Sequence, residues 1–323
     1  MSGNQVEVAC IGILVADFFS SPIPNIPKPG ELMLVESISL STGGCAANTA
    51  VALTKLGLKA GVVGKVGSDP FGNIVINDLS KKEIDTSGIT KSPKEETSKT
   101  IIIPTRNEDR RYLHLFGANK DFRKKDISLA YLAGVKCIYV GGFLGLPEFD
   151  GDSLASIFKF AKKRKILTVL DVIVPGPGDY LKQLRKTLPY VDAFIPNDDE
   201  SAIITGEKDP EKQADIFLGL GADTVMITMG LSGALLKTKN LLIKSGCYDV
   251  DFVDASGAGD AFDAGFMAAI LHGESLLNAL KTASAMGASC VTKLGCSEGL
   301  FSKNELEIYI KNNELKIEEH ILG

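Results

Sequence analysis

Asp254-Ala255-Ser256-Gly257-Ala258-Gly259-Asp260 leads straight into Ala261-Phe262-Asp263-Ala264-Gly265-Phe266-Met267-Ala268-Ala269-Ile270-Leu271. Three residues with almost no side chain stand between two carboxylates, at the point where an apolar, helix-forming stretch begins. The first N–H groups of a helix have no partner inside it, and the helix dipole adds partial positive charge there, so a turn of small residues can cradle an oxyanion. Asp260 then faces the bound anion. A carboxylate gains nothing there unless it has a task such as taking a proton from an attacking hydroxyl, and the combination reads as phosphoryl transfer. A plainer reading stays open at this level, in which the glycines make a strand-to-helix turn and Asp260 caps the helix. Two other glycine motifs are excluded by spelling. A dinucleotide fingerprint starting at Gly257 and Gly259 meets Phe262 at its third glycine position, and the nearest P-loop candidate, Gly64-Lys65, has Lys59 for its first glycine and Val66 after the lysine.

Upstream of this turn, short apolar runs alternate with longer helix-like segments. Val6 to Val15, Lys136 to Val140, Ile166 to Val174, Val191 to Ile195 and Thr224 to Thr228 read as buried strands, with periodic stretches such as Ser153 to Arg164 and Pro210 to Leu220 between them. Repeated β-α alternation predicts an α/β fold with a doubly wound, mainly parallel sheet flanked by helices, whose ligands bind beyond the carboxyl ends of the strands. Two segments break the rhythm. Residues 18–40 hold four prolines and then the alternating run Met33 to Leu40; residues 97–116 hold Thr100 to Ile103 and Arg111 to Phe116. Both read as antiparallel strand material, and together they predict a small β lid on a single domain spanning residues 1–323.

The 323 residues are 45% hydrophobic and carry a net charge of −5, ample for a large core and without the basic excess that nucleic-acid binding needs. The cluster Lys162-Lys163-Arg164-Lys165 falls at an expected helix end, where cations suit the dipole. Six scattered cysteines without a C-x-x-C pair fit a reducing compartment. No run approaches the ~18 apolar residues of a membrane span, and no signal-like segment opens the chain. The expectation is a cytoplasmic protein without membrane or nucleic-acid partners.

A second glycine-rich element, Gly43-Gly44-Cys45-Ala46-Ala47-Asn48-Thr49-Ala50, runs into Val51 to Gly57. Its glycines admit a close ligand, and Asn48 offers both donor and acceptor to a pair of hydroxyls. Asp17 lies at the expected end of the first strand, where a turn or cap role is the plain alternative. With Asn197-Asp198-Asp199-Glu200 and Thr228-Met229-Gly230-Leu231-Ser232-Gly233-Ala234, four motifs stand in an order that resembles the ribokinase-like (PfkB) family of sugar kinases over nearly the whole chain.

The resemblance implies roles. Asp260 is the base, and Gly257, Ala258 and Gly259 stabilise charge on the transferring phosphoryl group. Asp17, Gly43, Gly44 and Asn48 hold the sugar; Asn197 and Glu200 organise Mg²⁺ and phosphate, Glu200 through water; Thr228, Gly230 and Gly233 line the ATP site. It also implies a homodimer through the lid and leaves K⁺ open, at Asp254, Ser256 and Gly295 with Cys290, Lys293 and Ser297 of the same later loop, which match loosely. Departures from the family pattern are Ala255 and Ser256 in place of two threonines, and no Glu between Gly141 and Leu146, which argues against ribose. Arg106, Arg110, Arg111 and His114 would suit an acidic sugar if one of them reaches the pocket. Fructose, a keto-deoxy sugar acid, a cyclitol, a sugar phosphate and a nucleoside all remain acceptors to be tested. A nucleoside kinase of the same fold and a non-catalytic sugar- or nucleotide-binding regulatory protein are the rival functions.

Overall fold

The computed structural model describes residues 5–106, 111–176 and 178–322. Within them the chain runs β1 (Val8–Gly12), β2 (Val15–Ser20), β3 (Ile38–Gly43), α1 (Cys45–Lys55), β4 (Ala60–Gly67), α2 (Pro70–Lys81), β5 (Asp85–Ser92), β6 (Lys99–Ile103) and β7 (Arg111–Leu115). It continues through α3 (Leu129–Leu132), β8 (Cys137–Gly141), α4 (Gly151–Lys162), β9 (Leu167–Leu170), α5 (Leu181–Thr187), β10 (Ala193–Phe194), α6 (Asp198–Thr205) and α7 (Pro210–Gly219). The last part is β11 (Thr224–Thr228), β12 (Ala234–Thr238), β13 (Leu241–Ser245), α8 (Ala258–Leu271), α9 (Leu276–Cys290), α10 (Lys303–Asn312) and β14 (Ile317–Ile321).

The large sheet has the order β14-β13-β12-β11-β10-β9-β8-β1-β4-β5. From β11 to β5 every pairing is parallel, and β12 to β14 add an antiparallel edge. A sheet covered on both faces needs apolar residues at every position of its central strands, which is why these strands appear as unbroken apolar runs. Along β1, Val8 and Cys10 enter one core with α1, α8 and α9, while Ala9 and Ile11 enter the other with α4 and α7. Strand order reverses between β1 and β8. Their ends meet so closely that a Cβ on Gly12 would collide with the Gly141 carbonyl, and this is the crevice where such sheets bind ligands.

The apolar run from Val6 to Val15 is two strands, not the single strand expected. After Gly12 the chain leaves the large sheet: the amide of Leu14 donates to Asn119 Oδ1 at 3.2 Å, and Asn119 Nδ2 donates to the Leu14 carbonyl at 3.0 Å. A buried side-chain amide therefore replaces a strand partner at the crossing, and β2 continues into a second sheet of order β3-β2-β6-β7. Asp17 lies in the middle of β2, between Ser41 and Thr100, and does not end the first strand. The expected antiparallel excursions do form this sheet, but β2 and β6 pair in parallel, and Met33 to Ser37 precede β3 without strand structure. Strands expected at Ile166 to Val174 and Val191 to Ile195 shrink to β9 and β10.

Helix starts divide in a way that bears on function. α2, α4, α6, α7, α9 and α10 begin on Asp69, Asp150, Asn197, Asp209, Ser275 and Ser302, each accepting an orphan amide of the first turn. α1 and α8 begin on Gly44 (φ 94°) and Gly257 (φ 77°) without a side-chain cap. Their first amides are left to something other than their own side chains. Lys65 sits in β4, buried and paired with Asp126 at 3.0 Å and Asp121 at 3.3 Å, so it is a structural cation. In the basic cluster, Lys162 pairs with Asp192 and Asp223, and the Arg164 guanidinium stacks 3.9 Å from the Phe160 ring centre.

Candidate active site

Asp260 stands in the first turn of α8 and caps nothing. Its Oδ2 accepts from Asn48 Nδ2 at 2.8 Å, and its main-chain carbonyl accepts from Thr49 Oγ1 at 3.4 Å. Asn48 is one turn into α1, so the contact joins the two glycine-started helices. Burial pushes the Asp260 carboxyl up to about 7, and hydrogen bonds from Asn48 and Cys45 offset part of the rise. The Cys45 thiol is raised well above its ordinary value by burial beside Asp260, which leaves it protonated and a donor.

The glycines of the turn have different duties. A Cβ on Gly257 would stand 2.8 Å from Cys296 Cβ and about as close to its backbone, and its φ is left-handed, so packing and conformation both demand glycine. A Cβ on Gly259 would meet nothing within 4 Å. That open space lies one residue before Asp260, and packing does not explain the glycine there.

At the other end of the acceptor side, a Cβ on Gly43 would collide with the Asp17 carboxylate, so this glycine lets the carboxylate lie against β3. Thr100 hydrogen-bonds to Asp17 and also meets His114 Nδ1 at 3.0 Å, giving a polar row across one face of the small sheet. Burial raises the Asp17 carboxyl to about 6, and the Thr100 hydrogen bond opposes this. Arg111 pairs in register with Ile103 and shares the opposite face with Leu113, so it points away from Asp17. Arg110 lies outside the described residues, Arg106 is exposed, and burial pushes the His114 imidazole toward its neutral form.

The expected nucleotide residues gather at the ends of β10 and β11. Asn197 and Thr228 form an isolated parallel bridge, Asn197 Oδ1 accepts from the Glu200 amide at 2.8 Å, and Glu200 Oε2 accepts from the Asn197 amide at 3.2 Å. The N-x-x-E motif is thus a capping box that fixes the start of α6. Burial lifts the Glu200 carboxyl to about 7, aided by the charges of Asp199 and Asp260, so Glu200 is electrostatically linked to Asp260. Gly233 is demanded by packing against the Ser245 carbonyl; Gly230, with φ 54°, faces open space. In the third group, Asp254 Oδ1 accepts from the Ser256 amide and Oδ2 from the Gly295 amide, both at 2.9 Å, while Cys290 Sγ donates to the Ser256 carbonyl.

Three acidic or phenolic residues absent from the sequence-based set complete the centre. Asp171 directly follows β9, and one of its carboxylate oxygens lies within 4.8 Å of both Asp260 and Cys45 Sγ. Asp263 accepts from the Tyr139 hydroxyl at 2.9 Å. Burial first, and then the charges of Glu200 and Asp260, raise Asp171 and Asp263 well above the ordinary carboxylate range, and Asp263 adds to the rise at Asp171. Two signals pointed to them: Asp171 ends an apolar run that should have stayed apolar, and Asp263 is three residues beyond Asp260 on the same helix.

A glycine-started helix, a half-buried carboxylate near neutrality beside it, and a crevice at the strand reversal define a phosphotransferase with an alcohol group as acceptor. Residues 5–303 match the profile of the pfkB family of carbohydrate kinases. A ribokinase of Haemophilus influenzae is 31% identical over 304 residues, 91% of this chain and 95% of that protein. The solved structure of Arabidopsis thaliana ribokinase complexed with ribose and ATP matches with a TM-score of 0.81 at 22% identity, covering 95% of this chain and 99% of that one. An E. coli structure in complex with ATP and Mg²⁺ matches at 0.80 and 24% identity, again covering 95% and 99%. The chain belongs to the pfkB family of carbohydrate kinases, and it is an ATP-dependent sugar kinase.

Proposed function

We propose that this kinase moves the γ-phosphoryl group of ATP to a hydroxyl of a small sugar or sugar-like polyol with Asp260 as general base. The observation that carries the assignment is the pairing of Asp260, raised to about 7 and oriented by Asn48, with the uncapped start of α8 and the open space over Gly259. The acceptor hydroxyl gives its proton to Asp260 as its oxygen attacks phosphorus, and the bond to the ADP oxygen breaks. Amides of the Gly257-Ala258-Gly259 turn stabilise the charge on the transferring group. Asp17, Gly43, Gly44 and Asn48 hold the sugar. Thr228, Gly230 and Asn197 border the nucleotide, with Gly233 shaping the loop.

Mg²⁺ fits the residues present: Glu200 is an oxygen donor whose raised pKa reflects burial and an excess of negative charge, which a hard cation relieves. Bound there, the ion would neutralise phosphate charge. Cys45 with Asp171 and Asp260 suits it poorly, because a protonated thiol is not a ligand for a hard ion. A K⁺ ion beside Asp254, Ser256 and Gly295 extends the same reading, and turnover in K⁺ against tetramethylammonium tests it.

The small sheet serves as a lid, within a single kinase domain spanning the chain. Its outer face exposes Ile38, Ile101, Leu113 and Leu115, which supports a homodimer through that face. Six cysteines outside any disulfide support a reducing, cytoplasmic setting, and among the described residues no helix is long and apolar enough to cross a membrane.

The test is ADP release across sugars, sugar acids, sugar phosphates, cyclitols and nucleosides, with wild type and Asp260→Asn side by side. At least one small polyol should raise ADP release above the acceptor-free rate in wild type alone. If no acceptor does so, the assignment fails.

A further inference from the structure

We propose that Asp171 binds an acceptor hydroxyl beside the one that Asp260 deprotonates, and that the acceptor is therefore a neutral polyol with hydroxyls on adjacent carbons. The inference rests on the phosphoryl-transfer role of Asp260. The Asp171 backbone is fixed in the sheet: its amide donates to the Val140 carbonyl at 2.8 Å, and its carbonyl accepts from the Phe143 amide at 3.3 Å. This continues the β8–β9 ladder one residue beyond the last strand position and delivers the carboxylate to the carboxyl edge of the sheet, next to the strand reversal at Gly12 and Gly141.

A carboxylate offers about four acceptor positions. Asp171 receives the Val172 amide and, at 3.4 Å, the Gly142 amide, two main-chain donors that leave the remaining positions for a ligand. Its oxygen lies within 4.8 Å of the Asp260 carboxylate, close enough for two hydroxyls on neighbouring carbons to donate one to each acid with hydrogen bonds of about 2.5–3.0 Å. Apart from burial, the influences that raise Asp171 are the negative charges of Asp263, Glu200 and Asp260. A carboxylate or phosphate on that part of the acceptor would meet repulsion, whereas two neighbouring hydroxyls donate one hydrogen bond to each acid and partly offset the crowding. The same position also explains why an acid interrupts a buried apolar run, which packing alone does not call for.

The experiment uses the full-length protein and the best acceptor from the ADP-release screen, with a panel of analogues each lacking one hydroxyl. Wild type, Asp171→Ala and the isosteric Asp171→Asn are compared for acceptor KM, ATP KM, Mg²⁺ dependence and melting temperature. Asp171→Ala should raise the acceptor KM roughly ten- to a hundredfold, the worth of a hydrogen bond to a charged group, and leave ATP KM within about twofold. On the analogue lacking the gripped hydroxyl, wild type should already show that loss and both variants should add nothing further. Equal losses on the parent and every analogue, or a shift in Mg²⁺ or ATP dependence with acceptor KM unchanged, would overturn the proposal. If Asp171→Ala does not fold, Asp171→Asn and the wild-type analogue panel still decide it. Turnover by wild type with indifferent variants defeats only the role of Asp171, while absence of turnover with any acceptor defeats the kinase assignment beneath it.

Discussion

At the scale of single residues, the chemistry depends on one carboxylate being ionised when the acceptor arrives. Burial raises Asp260 to about 7, so it accepts a proton only above that pH. With ATP saturating, kcat/KM for the acceptor should fall about tenfold per pH unit below ~7 and level off above it. An acid limb near pH 4 would show that Asp260 is not buried in solution as it is here. Asp260→Asn should lower kcat by roughly 10²- to 10⁴-fold with ATP binding retained, and a variant keeping a tenth of wild-type kcat would exclude the base role. The two glycines of the turn separate packing from catalysis. Gly257→Val, at φ 77° and against Cys296, should lower the melting temperature and activity together; Gly259→Val, facing open space, should keep the melting temperature and lose rate. Motif spelling encodes local backbone chemistry, so the sequence singles out Asp260, Gly259 and Asn48 as candidates. Asp171, Asp263 and Tyr139 belong to no spelled motif, and their contacts, such as Gly142 to Asp171 and Tyr139 to Asp263, span 29 to 124 residues of chain.

At the scale of elements, the strands of the large sheet were readable wherever burial on both faces imposed an apolar run, and β11 falls where its run predicts. The small sheet was readable only as a break in rhythm. Its β2 is part of one apolar run with β1, and what divides them is Asn119, more than a hundred residues away, clasping Leu14. The parallel pairing of β2 with β6 likewise depends on where the rest of the fold carries the chain. β7 is exposed along its whole length and β3 is mostly exposed, so these two strands hold few contacts that would keep them in one place without ligand, whereas β2 is mostly buried. Hydrogen exchange should therefore slow across Val15–Ser20, Ile38–Gly43, Lys99–Ile103 and Arg111–Leu115 when acceptor and a non-hydrolysable ATP analogue are both bound. Unchanged exchange there would mean that the sheet is a fixed wall and not a closing lid. A change confined to a dimer surface is recognised by Leu113→Lys, which should abolish dimerisation while leaving the ligand-dependent protection of Asp17 and its neighbours.

At the scale of the whole molecule, the fold concentrates buried acids in one place, and its stability must register that. Asp17, raised to about 6, and Glu200 and Asp260, each raised to about 7, favour their protonated forms when folded. Between their ordinary values near 4 and these raised values, the folded state binds more protons than the unfolded chain, so stability is present in full below about pH 4 and drains away as pH rises through 6 to 7. The acids held below their usual range, Asp69, Asp121 and Asp150 together with Glu7, Glu207, Glu211 and Glu305, act in the opposite sense, but only as pH falls through and below their ordinary values, outside this window. His114, kept neutral by burial, opposes the trend below its ordinary value of 6.5, as a single group against the raised carboxyls of Asp17, Asp171, Glu200, Asp260 and Asp263. The unliganded protein should thus melt several degrees higher at pH 5 than at pH 7.5, the reverse of ordinary acid destabilisation. Each pKa unit is worth about 1.4 kcal/mol, so Asp260→Asn should remove much of the slope and stabilise the unliganded protein at pH 7.5 while disabling it. Acceptor with ATP and Mg²⁺ should raise the melting temperature more at pH 7.5 than at pH 5, because hydroxyl donors and the cation relieve the charge that ionisation exposes. Scanning fluorimetry from pH 5 to pH 8 checks all three. A melting temperature that is flat or rises across that range, alike in wild type and Asp260→Asn, would show that these carboxyls are solvated in the unliganded state and that the charge is buried only when the small sheet closes.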